Sequence, residues 1–319
     1  MDIVCLGELL VDMFPAETGQ KLAEVSAFHP KPGGAPANVS VAAARLGLQA
    51  AFIGKVGDDA FGHHLADVLE QEGVNVRGVR FDIEARTGMA FIAKPDENNY
   101  EILFYRNPGA DMLLQPEELD SELLEKTRVF HFGSISLIQE PSRSATMEAL
   151  SVARGAGALI SFDINYRSDL WNRSEACDRI MYTIPHVDLL KVNEVELELL
   201  TGSTDLDAAT EPFLERGPKL CIVTLGTDGS FFRIAQGSGY IPAFSVMTVD
   251  ATGCGDAFIA GLLCQLISIP DWRDRLSKEQ MHRAMRYANA VGALAATKQG
   301  VIPALPSADE VNNLLSVAL

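Results

Sequence analysis

Short runs of Val, Ile, Leu and Phe alternate with longer segments whose apolar residues recur every three to four positions, which predicts strands and helices following one another along most of the chain. Strands are expected at 2–7, 50–56, 129–133, 158–163, 187–192 and 219–225, with helices at 36–46, 59–73, 141–155, 173–184 and 194–201. Pro36 opens the first helix and Gly47 closes it, an asymmetry that the backbone preferences of the two residues favour. The connections are long enough for crossovers, so the pattern implies a parallel sheet with helices on both faces. After Gly226 the texture changes. Gly229–Ile234 and Tyr240–Val249 read as a hairpin-like pair, an edge turning antiparallel, before long helices at 253–268 and 278–298.

Two segments break the alternation, residues 10–32 and 86–107. In the second, Gly88–Lys94 and Tyr100–Arg106 look like strands around a polar turn. If the two segments pair, they form a small β-sheet projecting as a lid over a cleft. Otherwise they are irregular surface excursions. The division expected is a main α/β body of residues 1–9, 33–85 and 108–319, with 10–32 and 86–107 as the lid.

Composition narrows the class. At 319 residues, 47% hydrophobic and 22% charged, the chain has enough apolar side chains for one sizeable core. A net charge of −17 argues against nucleic acid or an anionic membrane as partner, since both demand clustered Lys and Arg. The longest apolar run, Ala257 to Ile269, is too short for a bilayer span. Met1-Asp2 leads straight into the first strand with no basic leader segment; a cytoplasmic protein is expected from the cysteine usage. Cys5, Cys177, Cys221, Cys254 and Cys264 are odd in number and lack CxxC spacing, which supports neither a disulfide framework nor a zinc site. Four of them read as buried small hydrophobes. Cys254 differs, because a thiol near a helix N-terminus can have a lowered pKa, although filling space is the simpler role.

The densest chemistry lies in Asp250-Ala251-Thr252-Gly253-Cys254-Gly255-Asp256, a glycine-bracketed turn that opens into an apolar helix. Small residues there let backbone N–H groups approach an anion at the positive end of the helix dipole. Asp256 in the first turn is either a charge that compensates the dipole or, beside such an anion nest, a base for an incoming hydroxyl. Gly33-Gly34 before the first helix permits close backbone approach to a ligand, or is an ordinary turn. Asp12 is placed at the end of the first strand, where open α/β sheets bind ligands, and Asn38 one turn into the helix faces the same edge. Asn193 and Glu196 are one helical turn apart, either facing the cleft or serving as a cap and a solvated side chain. Thr224, Gly226 and Gly229 follow another strand in a turn.

Three separated motifs carry a resemblance: Gly33-Gly34-x-x-x-Asn38 with Gly54-x-Val56-Gly57-x-Asp59-x-x-Gly62, then Asn193-Glu194-Val195-Glu196, then Asp250-x-Thr252-Gly253-x-Gly255-Asp256. In this order they resemble the ribokinase-like, or PfkB, carbohydrate kinases, and they span nearly the whole chain. The segment from Phe104 to Leu114 is similar to one in fructokinases, and Asp163-Ile164-Asn165-Tyr166-Arg167 with Leu170-Trp171 resembles fructokinases and 2-keto-3-deoxygluconate kinases.

The resemblance implies a three-layer ribokinase-like fold with a mostly parallel central sheet and a β-sheet lid, and transfer of the γ-phosphoryl group of ATP to a sugar hydroxyl. By the same carry-over Asp12, Gly33, Gly34, Asn38, Arg106 and Arg167 hold the sugar. Asp256 is the general base, and the backbone of Gly253, Cys254 and Gly255 forms the anion hole. Thr224, Gly226, Gly229 and Asn289 contact nucleotide. Asn193 and Glu196 organise Mg²⁺ and phosphate through water, and Asp250 with Thr252 takes K⁺. Ala251 and Cys254 depart from the commoner residues of the family but remain small. Fructose is the acceptor favoured, with 2-keto-3-deoxygluconate or another sugar or nucleoside as the alternative. A noncatalytic kinase-like protein and a dinucleotide-dependent dehydrogenase fit less well, the latter because no GxGxxG follows the first strand. Apolar Met89, Phe91 and Phe104 on the lid suggest a homodimer.

Overall fold

The computed structural model describes residues 1–96 and 101–317, with the side chain of Asp274 excepted. Among the described residues there are thirteen strands: β1 Ile3–Leu6, β2 Leu10–Pro15, β3 Phe28–Gly33, β4 Ala50–Gly57, β5 Asn75–Asp82, β6 Met89–Ala93, β7 Glu101–Tyr105, β8 Val129–Gly133, β9 Leu159–Asp163, β10 Leu189–Asn193, β11 Leu220–Thr224, β12 Gly229–Ile234 and β13 Gly237–Pro242. The helices are α1 Ala35–Arg45, α2 Ala60–Gln71, α3 Ser121–Glu125, α4 Ser142–Gly155, α5 Arg173–Thr183, α6 Glu194–Thr201, α7 Leu206–Arg216, α8 Cys254–Leu266, α9 Trp272–Arg275, α10 Lys278–Ala295 and α11 Ala308–Val317.

Nine strands form one sheet in the order β13-β12-β11-β10-β9-β8-β1-β4-β5. From β11 through β5 every pairing is parallel, and only β12 and β13 run antiparallel at the edge. Parallel strands between helical layers are apolar on both faces, which explains their unbroken hydrophobic runs. In β1, Ile3 and Cys5 join a core with α1, α8 and α10, while Val4 and Leu6 join a second core with α4, α5 and α7 on the other face. The chain runs outward from β1 through β4 to β5 and then resumes on β1's other side at β8. A crevice therefore opens at the carboxyl end of β1.

The remaining four strands make a separate sheet in the order β3-β2-β6-β7. Strand β2 pairs with β6 in parallel, with Val11 opposite Met89 and Met13 opposite Phe91, which joins two segments far apart in the sequence. Phe28 and Tyr105 pack edgewise on Phe91, giving this small sheet an aromatic face of its own. Tyr100, the first residue of the second lid strand expected from sequence, lies outside the described residues.

Several expectations need correction. Asp12 is not at the end of the first strand: β1 stops at Leu6, the chain turns at Gly7, and Asp12 belongs to β2 of the small sheet. The second strand of the edge hairpin is Gly237–Pro242 and not 240–249, because the turn at 235–236 pairs Gly237 with Ile234 directly and residues 243–249 leave the ladder. Strand β5 and helix α7 were not anticipated. The first is an edge strand with polar residues along it, and the second carries Pro212 internally. Cys177 and Cys264 are only partly buried, unlike Cys5 and Cys221.

The Gly57-x-Asp59-x-x-Gly62 motif has a structural cause. Asp59 caps α2 by accepting the N–H groups of Phe61 and Gly62, and it also accepts from the Thr87 N–H, tying the helix to the start of β6. A Cβ on Gly62 would stand 2.0 Å from the Gly57 carbonyl oxygen, a backbone atom that cannot swing away. Gly62→Ala, although favoured by helix propensity, is expected to destabilise the fold by about 1–3 kcal/mol through overpacking. Urea unfolding of parent and variant measures this directly.

Candidate active site

The first turn of α8 is set by Gly253, which takes a left-handed φ of 77° that an L side chain resists. A Cβ there would also strike Val301. The turn before it is held by Asp250, whose Oδ1 accepts the Thr252 N–H at 3.0 Å and the Thr252 hydroxyl at 2.7 Å, while Oδ2 accepts the Gly300 N–H at 3.1 Å. The Cys254 N–H donates to the Ala251 carbonyl at 3.3 Å, a long bond that an anion could displace. Gly255 and Asp256 follow as first-turn residues, whose N–H groups lack intrahelical acceptors.

Asp256 is buried, with 8% exposure, and its Oδ2 accepts the side-chain N–H of Asn38 at 2.8 Å. This bond joins α1 to α8 across 218 residues of sequence. Burial pushes the Asp256 carboxyl up to about 6, against the Asn38 hydrogen bond; Asp163 raises it further, while Lys191 and Arg167 lower it. A carboxylate of that pKa is mostly ionised at neutral pH yet remains a usable proton acceptor.

Two cavities meet at this turn. The smaller, about 330 Å³, is walled by Glu8, Asp12, Asn38, Asp163, Arg167 and Lys191 together with Gly34, Thr252, Gly253 and Asp256, and the small sheet roofs it with Ala90, Ile92, Ile102 and Phe104. The larger, about 650 Å³, contains Thr224, Gly226, Gly229, Phe244, Cys254, Gly255, Phe258 and Asn289. Residues 243–248, which leave the edge ladder, supply part of its wall.

Most residues singled out from sequence border one cavity or the other. Asp12 reaches the small one from β2, and its carboxylate lies over Gly33, where a Cβ would meet Oδ2 at 2.0 Å. Burial pushes the Asp12 carboxyl up to about 7, with Asp256 and Glu8 adding to the rise and Arg167 opposing it. Arg106 does not line the cavity: it is buried and ion-paired with Asp111. Glu196 is also absent from both walls and is no solvated side chain. It is 3% exposed, and its oxygens accept the N–H groups of Tyr166 at 2.7 Å and Asn193 at 2.8 Å. Asn193 caps α6 by accepting the Glu196 N–H at 2.8 Å, and it borders both cavities. Asn289 borders the larger one while its amide is engaged by Ser230 and by the carbonyls of Ile241 and Pro242. The Cys254 thiol is pushed up to about 11 by burial and by Asp250 and Asp256, so it is not the lowered-pKa thiol considered from sequence.

Glu8 and Lys191 were missed, and Asp163, which also lines the smaller cavity, was noted only within a motif. Glu8 is 4% exposed, accepts the Ala35 N–H at 2.9 Å, and turns an unpartnered Oε2 into the cleft wall; burial pushes its carboxyl up to about 7. Lys191 lies inside a strand otherwise made of apolar residues and Asn193, and a charge in such a run was the available signal. Among the described residues no group of three His, Cys, Asp or Glu side chains could hold a metal by itself.

The model of the pfkB family carbohydrate kinases matches residues 1–308. The chain belongs to that family. Among curated proteins it is 46% identical over 317 residues to probable fructokinase-2 of Arabidopsis thaliana, covering 99% of this chain and 96% of the relative. It is 46% identical to fructokinase-1 of Oryza sativa subsp. japonica, covering 99% and 98%. Among solved structures it is similar to the fructokinase with bound ATP from Xylella fastidiosa, with TM-score 0.90, 33% identity and coverage of 99% and 98%. The fructokinase from Vibrio cholerae O395 in its fructose, ADP and calcium ion bound form gives TM-score 0.87, 31% identity and 98% coverage of both chains. The chain is thus a carbohydrate kinase with the ribokinase-like architecture, a phosphotransferase acting on a sugar hydroxyl.

The raised carboxyl of Asp12 has a consequence for stability. With a folded pKa of about 7 against an ordinary 3.8, its contribution is fully present below the ordinary value and is lost as pH rises through about 7. Asp12→Asn is therefore expected to raise the melting temperature relative to the parent at about pH 8 and to leave it nearly unchanged at about pH 4. Calorimetric scans at the two pH values check both the sign and the window.

Proposed function

We propose that the protein is an ATP-dependent fructokinase that forms fructose 6-phosphate and ADP. The observation that carries the reading is the buried Asp256 carboxylate, hydrogen-bonded to Asn38, at the helix N-terminus where a sugar-sized cavity meets a larger one. Fructose as acceptor is supported by the fructokinases at 45–46% identity over nearly the whole chain.

In this reading the larger cavity takes ATP, with Thr224, Gly226, Gly229 and Asn289 along the nucleotide. Asp12, the Gly33 and Gly34 backbone, Asn38 and Arg167 hold the sugar. The unpartnered Oδ1 of Asn38 and Oε2 of Glu8 suit hydroxyl donors. Arg106, paired with Asp111, supports that wall from behind. Asp256 takes the proton of the attacking hydroxyl as its oxygen bonds the γ-phosphorus, and the Gly253, Cys254 and Gly255 N–H groups stabilise charge on the phosphoryl oxygens.

Asn193, which borders both cavities, and Glu196 buried behind it would hold Mg²⁺ through water. Each Glu196 oxygen accepts one backbone N–H and retains a lone pair for a metal-bound water, the usual way this ion is held beside nucleotide phosphates. When bound, Mg²⁺ neutralises charge on the phosphates. Asp250 Oδ2 and the Thr252 hydroxyl oxygen likewise retain acceptor capacity for K⁺.

The four-stranded sheet, with residues 10–32 and 86–107 as its unit, acts as a lid that excludes water. Leu103 and Tyr105 on its outer strand are exposed, and with the partly buried Met89 and Phe91 opposite them they support a homodimer through this face, whereas Phe104 points to the cavity side. A cytoplasmic location agrees with the free thiols. Among the described residues no helix is long and apolar enough to cross a membrane.

A panel of sugars in a coupled ADP assay tests the acceptor: turnover is expected with fructose, and none with fructose beside turnover of another sugar rejects it. Asp256→Asn should lower kcat on the order of 10² to 10⁴ without unfolding the chain. In the parent, kcat/KM is expected to fall as pH drops through about 6, as Asp256 gains a proton. Asn38→Ala removes a bond that favours the ionised form, so its acid limb should lie at higher pH; a rate–pH profile of each measures it.

A further inference from the structure

The two cavities share Asn193, Thr224, Ala251 and Gly255 in their walls, so these residues mark the seam that a transferred group must cross. Lys191, two residues before Asn193 on β10, lines the smaller cavity at that seam. Its Nζ lies 3.4 Å from where a Cβ on Gly255 would stand, so the first turn of α8 passes directly over a buried cation. Both oxygens of Asp163, on the adjacent strand β9, hold this ammonium, at 2.9 and 2.8 Å. Lys191 is 5% exposed and Asp163 3%. A buried pair of this kind seldom adds net stability over apolar residues of similar volume, so fold stability gives little reason for it to stand here. A lysine ammonium has three donors. Two serve Asp163 and, among the described residues, no acceptor engages the third.

We propose that Lys191 is a further catalytic residue, its ammonium contacting the phosphoryl oxygens as the group crosses from nucleotide to acceptor, with Asp163 as the positioning residue that aims it. The inference rests on the kinase function proposed above. In the step it serves, the acceptor oxygen bonds the γ-phosphorus while the bond to the β–γ bridging oxygen breaks, its electron pair leaving with ADP. The hydroxyl proton passes to Asp256. Lys191 keeps all three protons and contributes charge and donors where the equatorial oxygens gather charge. Its charge also reaches the base. The groups facing Asp256 are Asn38 from α1, Asp12 from β2, Asp163 from β9, Lys191 from β10 and Arg167 after β9, and of these Lys191 favours the ionised carboxylate while Asp163 opposes it.

The test is steady-state kinetics of the full chain with fructose and Mg-ATP for Lys191→Met, Lys191→Arg, Asp163→Asn and the double variant Lys191→Met with Asp163→Asn. Lys191→Met is expected to lower kcat on the order of 10² to 10³, with fructose KM little changed and some rate restored by arginine. The acid limb of kcat/KM should move to higher pH in Lys191→Met and to lower pH in Asp163→Asn, which a merely structural role would not produce. If Lys191→Met fails to fold because Asp163 is left buried and unpaired, the double variant removes both charges and should fold with the same low kcat. A kcat within about threefold of the parent in Lys191→Met or in the double variant overturns the proposal, as does a lowered kcat with the acid limb unmoved in Lys191→Met and in Asp163→Asn. A parent inactive with every sugar overturns the kinase reading itself, whereas an active parent beside unaffected variants overturns only the role of Lys191.

Discussion

Ionisable groups crowd into a buried crevice at the carboxyl end of the sheet, and the free energy of charging them there governs how the site is built. Glu8, Asp12, Asp163 and Asp256 border one cavity of about 330 Å³ with Lys191 and Arg167. Desolvation opposes every charge, and neighbouring carboxylates oppose one another. The result is a division of labour. Asp163 is neutralised by Lys191 at hydrogen-bond distance, whereas Glu8, Asp12 and Asp256 are each left with a raised pKa and capacity to accept from hydroxyl groups. A cleft of this character favours a neutral polyol, whose hydroxyls donate to the carboxylates, over an acidic acceptor that would add another charge.

The fold supplies this crowding through topology. Parallel strands terminate at one edge, and the order of the sheet places β1, β8, β9, β10 and β11 side by side, so that Glu8, Ile135, Asp163, Asn193 and Thr224 emerge from the ends of different strands around one opening. Helices α1 and α8 pack on the same face, and each begins at a glycine in a left-handed or otherwise restricted conformation, Gly34 and Gly253. Their N-termini therefore point into the crevice from neighbouring positions. The Asn38 to Asp256 bond links them.

The small sheet contributes differently. Its strands come from two excursions that have no reason to meet until β2 and β6 pair, and the pairing brings Asp12 over Gly33 while Phe104 and Ile102 close the roof. An underside that is apolar except for Asp12, together with an aromatic cluster on the outer face, suits this sheet to covering the crevice. Arg106 is buried at the junction between this sheet and the main body, paired with Asp111.

Hydrophobic patterning alone determined the six central parallel strands and most of the helices, because strands buried on both faces must be apolar throughout and helices against them must repeat at their own period. The same patterning missed β5, whose edge position leaves polar residues along it, and it extended the final hairpin into residues that line a cavity instead. Local motifs marked Asp256, Asn38 and the glycine turns, since backbone geometry at a helix N-terminus is written in short-range sequence. Whether Asn193 and Glu196 cap a helix or face the cleft, which carboxylate holds Lys191, why the Oε2 of Glu8 is unpartnered and that Asp12 arrives from a different sheet were decided only by tertiary structure. Those properties depend on distances between strands that the sheet makes adjacent, and on the loss of water when they close, neither of which any window of sequence contains.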